Sequence, residues 1–131
     1  MRRGGPRCAT LEAMTQDKPS LAAAQLTDAE RAALVDLART LRARCGAREV
    51  ILFGSRARGD AGPDSDIDVL CLNELGATWE ACNQIWTTAA EVRDRHDVFF
   101  QVIVVGWDDW DHGVSQALPL KRNVERDGIR L

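Results

Sequence analysis

The sequence has no apolar stretch long enough to cross a bilayer, and the twin Arg2-Arg3 is not followed by the apolar run of a signal peptide. These absences set aside an integral membrane protein and lead to the expectation of a cytoplasmic location. There is no CxxC and no zinc-type Cys/His spacing, because Cys8, Cys45, Cys71 and Cys82 are scattered. Cys71 and Cys82 fall within apolar periodic segments, where the expected role is a small buried thiol. There is no excess of positive charge either: 17 Lys plus Arg stand against 20 Asp plus Glu, a net of −3. From Thr27 onward the count is thirteen basic to eighteen acidic side chains, a net of −5. That balance disfavours nucleic acid held through its phosphates and suits a site that gathers divalent cations. No internal repeat and no low-complexity run is present.

What is present is 131 residues, 45% hydrophobic and 28% charged, the size and composition of one globular domain. Residues 1–26 carry Gly4-Gly5-Pro6 and Lys18-Pro19-Ser20 without a sustained period and read as a flexible tail. Met14 is an alternative start to Met1. Residues 27–131 read as the folded domain. Thr27 followed by Glu30 is a capping box that opens a helix. Leu34, Leu37, Ala38, Leu41 and Cys45 then recur at spacings of three and four, and Gly46 ends the helix. Strands are expected over 49–53, 66–72 and 98–105, the last stopped by Gly106. A helix is expected over 78–93, with Trp79, Cys82 and Trp86 on one side, which reads as a core stripe. Residues 107–131 are expected to be helical in part, broken near Pro119, with Trp107 and Trp110 packing that segment. The order helix, strand, strand, helix, strand, helix implies an α/β chain with a sheet covered by helices.

The chemistry concentrates in residues 54–68. Gly54 and Ser55 leave a strand, and a glycine there lets a phosphate approach the backbone, with the Ser55 hydroxyl beside it. Asp66 and Asp68 lie two apart on an expected strand, so both carboxylates leave one face while Ile67 and Val69 enter the core. Two close carboxylates repel unless a cation lies between them, and Mg²⁺ with its preference for oxygen suits a metal–nucleotide complex.

A Gly-Ser pair, ten residues and then Asp-x-Asp, with a strand before each half, resembles the polymerase beta-like nucleotidyltransferase superfamily. The likeness is to its minimal nucleotidyltransferase (MNT) group. The residues that carry it are Phe53-Gly54-Ser55-Arg56-Ala57-Arg58-Gly59 and Ser65-Asp66-Ile67-Asp68-Val69-Leu70. The resemblance implies a small mixed sheet covered by helices. It also implies that Gly54, Ser55 and Ser65 contact ATP, and that Asp66 and Asp68 hold two Mg²⁺ ions for catalysis. Arg56 and Arg58 are left open between phosphate contact and ion pairing within the fold. The implied activity is transfer of AMP from ATP to a hydroxyl on a protein partner, with the chain as antitoxin to a HEPN-domain toxin. A homo-oligomer is left open.

One position departs from the family pattern. The third carboxylate, before the apolar run Val102-Ile103-Val104-Val105, is Gln101. A carboxamide is no base and balances no charge, so the second metal is expected to bind more weakly. Asp97 shares the strand parity of Gln101 but stands about 13 Å back along an extended chain. The alternative reading is therefore a degenerate nucleotidyltransferase that binds a nucleotide or a partner without turnover. His96 reads as a solvated or capping residue.

Overall fold

The computed structural model describes residues 21–62, 65–74, 76–112 and 119–131. Most of the expected tail, including Cys8 and Met14, lies outside the described residues. Helix α1 (Asp28–Cys45) starts as its sequence requires: the Thr27 hydroxyl accepts from the Glu30 N–H at 3.1 Å, and Glu30 accepts from the Thr27 N–H at 2.8 Å. It ends at Gly46, which adopts the left-handed conformation. Strand β1 (Ala47–Phe53), the short helix α2 (Ser55–Arg58) and strand β2 (Asp68–Asn73) follow. Helix α3 (Trp79–His96) leads to strand β3 (Gln101–Gly106), then α4 (Trp107–His112), α5 (Pro119–Asp127) and strand β4 (Ile129–Arg130).

The four strands form one mixed sheet in the order β3-β2-β1-β4. β1 is antiparallel to both β2 and β4, and β3 runs parallel to β2. This is the small mixed sheet covered by helices that the sequence resemblance implies. Strand alternation divides the core between the two sheet faces. Val50, Leu52, Val69 and Cys71 pack with Leu34, Leu37 and Leu41 of α1 and Ile85, Ala89 and Val92 of α3. On the other face Ile51, Phe53, Leu70 and Leu72 pack with Trp110 and Val124. Each fully buried aliphatic side chain contributes about 1.5–3 kcal/mol, so the first face carries most of the stabilisation.

Several expected boundaries move. β3 begins at Gln101 instead of 98, because α3 runs on to His96 and Asp97 closes it in the left-handed conformation, φ 54°. A parallel strand can start only where its partner does, and Gln101 is opposite Asp68, the first residue of β2. Asp66 accordingly lies just ahead of β2. Trp79 and Trp86 do not form a core stripe: they are 71% and 44% exposed, and the Trp86 indole N–H donates to the Val102 carbonyl at 3.2 Å. The face of α3 that packs inward is Ile85, Thr88, Ala89 and Val92. Cys71 is buried, which pushes its thiol up to about 12, whereas Cys82 is only partly covered. Pro119 opens α5, where a residue without an N–H costs nothing. Gly128 then turns the chain into β4, and a Cβ there would collide with the Val124 carbonyl and Ile51.

Residues 21–26, counted with the tail in the sequence, lie on the domain. Leu21–Ala23 form a 3₁₀ turn, Ala24 is buried, and the Arg31 guanidinium donates to the carbonyls of Leu21, Ala22 and Ala24.

Candidate active site

The site lies where β1 and α2 meet the start of β2 and β3. Gly54 ends β1 with φ 85° and ψ −162°, a conformation essentially confined to glycine. A Cβ at this position would come within 3.0 Å of Asp68 Oδ2. The backbone conformation therefore requires glycine there, and a side chain would also press on the Asp68 carboxylate. Ser55 begins α2, Ala57 anchors it in the core, and the Ser55 carbonyl accepts from Gly59 and Asp60 at 2.8 and 3.2 Å.

Asp66, Asp68 and Gln101 converge. Ile67 is buried, so the residues on either side of it turn their carboxylates to the opposite face. Gln101 Nε2 donates to Asp66 Oδ2 at 3.1 Å, while in the ladder Gln101 is directly opposite Asp68. Asp68 is half-buried and makes no side-chain hydrogen bond or ion pair among the described residues. Burial, and then the charge of Asp66, raise its pKa above the ordinary carboxylate value. Among the described residues no group of three Asp, Glu, His or Cys gathers as a metal site. The donor set fits one divalent cation: two carboxylates supply its charge and Gln101 a neutral oxygen. A second cation has no third carboxylate to balance it.

The other sequence-predicted residues fall elsewhere. Asp97 caps α3 and is exposed, outside β3, so it takes no place on the strand that carries Gln101. Arg56 donates through Nη1 to Glu30 Oε1 at 3.0 Å and to the Gln25 carbonyl at 3.2 Å, and through Nε to the Ser65 carbonyl at 3.2 Å. Burial works against the Glu30 carboxylate, but the Thr27 N–H and Arg56 hold its pKa below the ordinary value. Arg58 pairs with Asp60 and, at 3.1 Å, with Asp127 of α5. Hydrogen bonds from Arg126 and Arg58 keep the Asp127 pKa low against its burial. Of the two uses left open for these arginines, ion pairing within the fold is the one the structure displays. The Ser65 hydroxyl accepts from the Gly62 N–H at 2.8 Å and closes the turn before Asp66. His96, at the end of α3, pairs with Asp36 of α1 at 2.9 Å. Trp110 is buried, and Trp107 stacks under Arg48 at 4.0 Å. A cavity of about 670 Å³ lined by Glu49, Trp107, Trp110, Val124 and Ile129 includes neither aspartate. Sequence reasoning missed Gln25, whose only signal was its position next to the Thr27 capping box.

This end of the molecule gathers the glycine turn, the serine and the paired aspartates. Residues 35–98 match the family model described as the nucleotidyltransferase domain, from the middle of α1 to just past the end of α3. That segment, just under half of the chain, is thus a nucleotidyltransferase domain of the kind found in the polymerase beta-like superfamily. A solved structure described as the toxin-antitoxin with AMP-PNP is similar at a TM-score of 0.50 and 21% identity, over 79% of this chain and 72% of that one. At that identity the likeness speaks for the fold. No curated protein matches the chain. Among the described residues no helix is long and apolar enough to cross a membrane.

Proposed function

We propose that this protein is a Mg²⁺-dependent nucleotidyltransferase of the minimal type that moves AMP from ATP to a hydroxyl on a protein partner, releasing pyrophosphate and the hydroxyl proton. The partner we propose is a HEPN-domain toxin, with this chain as its antitoxin. One observation carries the reading: Asp66 and Asp68 converge at the end of the sheet beside a turn where only glycine fits. The family match supports nucleotidyl transfer, and the toxin-antitoxin description of the similar structure supports a toxin as the partner. Asp66 and Asp68 would hold the cation, which when bound polarises a phosphoryl oxygen as a Lewis acid. The chain's own residues supply the remainder. The turn at Gly54 and the Ser55 hydroxyl receive phosphate, and the two carboxylates fix where positive charge is held. Arg56 and Arg58, committed to ion pairs, stiffen the frame around them.

Gln101 favours a second reading. Its amide spends a hydrogen bond on Asp66 and cannot take a proton from an attacking hydroxyl, so the chain would bind nucleotide with little or no turnover. Labelled ATP with Mg²⁺ and the partner separates the two. Transfer of label to the partner, accelerated by Gln101→Asp, is the expected result. Tight Mg²⁺-ATP binding with no transfer, unchanged by Gln101→Asp, would establish the binding module. A fast wild type that dies with Asp97→Asn would overturn the assignment of Gln101 to the third position.

A further inference from the structure

Gln25 spends all four of its polar groups on the segment that carries the site. Its backbone N–H donates to the Arg56 carbonyl at 2.9 Å, and its own carbonyl accepts from Arg56 Nη1 at 3.2 Å. Its side-chain Nε2 donates to the Ala61 carbonyl and Oε1 accepts from the Ala61 N–H, both at 2.9 Å. The side chain thus pairs with Ala61 as a neighbouring strand would, while the backbone holds α2. Gln25 spans the Gly59–Asp60 turn from both ends. Buried Ala24 and the three bonds from Arg31 anchor the residues before it. Arg56 also reaches the Ser65 carbonyl, next to Asp66, so one connected set of bonds joins the Gly54–Ser55 turn to the aspartate pair.

We infer that Gln25 is a positioning residue for nucleotide binding: it fixes the distance between the phosphate-receiving turn and the carboxylates. The role lies outside the segment matched by the family model and rests on the nucleotide-binding reading above. Exposed hydrogen bonds of this kind add little to global stability, but a site that must hold its groups to a fraction of an ångström is sensitive to their loss.

Three readouts on the full chain test this: Mg²⁺-ATP affinity by calorimetry, the melting midpoint, and amide exchange at Ala61 without nucleotide. Gln25→Ala is expected to weaken Mg²⁺-ATP binding by about 10-fold, keep the melting midpoint within a few degrees, and speed exchange at Ala61. Gln25→Glu keeps the acceptor for the Ala61 N–H and loses the donor, so it should retain the protection and only part of the affinity. Equal affinity in Gln25→Ala and wild type would overturn the inference. So would a loss of affinity matched by a collapse of the melting midpoint, which marks a merely structural residue. Unchanged exchange at Ala61 would also overturn the inference, because the pairing of Gln25 with Ala61 is what does the positioning. A wild type with no Mg²⁺-ATP affinity would overturn the proposed function and the positioning role together.

Discussion

Under α1 and α3, the sheet contributes Val50, Leu52, Val69 and Cys71 to a layer in which nearly every side chain is fully buried. On the other face α4 and α5 cover Ile51, Phe53, Leu70 and Leu72, and that apolar cover ends short of Asp68 and Gln101. The same strand serves both. β2 alternates, so one register gives Val69 and Cys71 to the thick layer and Asp68, Leu70 and Leu72 to the thin one. A small chain can in this way tolerate two repelling carboxylates. The thick layer supplies stability, and the thin one leaves its end open to solvent, where charge is less costly.

The sharpest way to break this division is to remove charge from the open end alone. Asp66→Asn with Asp68→Asn should abolish Mg²⁺-dependent ATP binding in calorimetry. Its melting temperature should equal or exceed that of wild type, because burial and the Asp66 charge already disfavour the Asp68 carboxylate. A large drop in melting temperature would mean that the pair is structural. The converse change strikes the thick layer. Leu37→Ala should cost about 2–5 kcal/mol in denaturant titration, with nucleotide affinity retained wherever the variant is folded.

Gly54 joins the two functions, since its backbone conformation disfavours any side chain and a Cβ would press on Asp68 Oδ2. Gly54→Ala should cost about 1–3 kcal/mol of stability and weaken ATP binding by about 10-fold. Unchanged affinity would remove the phosphate-receiving role. The smallest effect concerns Asp36, which ties α1 to α3 through His96 and Arg95. The His96 hydrogen bond, followed by those from Arg95 and Thr40, lowers its pKa from 3.8 to about 2. A carboxyl depressed in the folded state stabilises above its unfolded value, and that contribution is lost as pH falls toward the folded one. Asp36→Asn should therefore be less stable than wild type by ~1–2 kcal/mol at neutral pH. The gap should close between pH 3.8 and about 2. A gap independent of pH would show that the pairing carries no electrostatic stabilisation.

The local features were legible because their causes are local. The Thr27–Glu30 capping box, the buried spacing of Leu34, Leu37 and Leu41, the glycine stop at Gly46 and the alternation around Ile67 each depend on residues within a few positions. The Asp-x-Asp pair and Gly-Ser turn were legible as a motif, and their convergence follows from strand order. The features read wrongly depend on distant partners. The exposure of Trp79 and Trp86 depends on which arc of α3 meets α1, and the sequence period permits a neighbouring arc. Two-residue β4 exists only because β1 offers Ile51 and Leu52 as partners.

Legible from the chain alone, then, were the main helices and strands through β3, the glycine turn, the paired aspartates and a glutamine, not a carboxylate, at position 101. All are set by residue chemistry and short-range spacing. Packing of the two layers sets the rest: Gln101 hydrogen-bonds Asp66, Arg56 and Arg58 pair with Glu30 and Asp127, and Gln25 spans the loop. Those contacts join residues 26 to 69 positions apart. No local period encodes such pairings: they exist because the two layers, once packed, bring these groups within hydrogen-bonding reach.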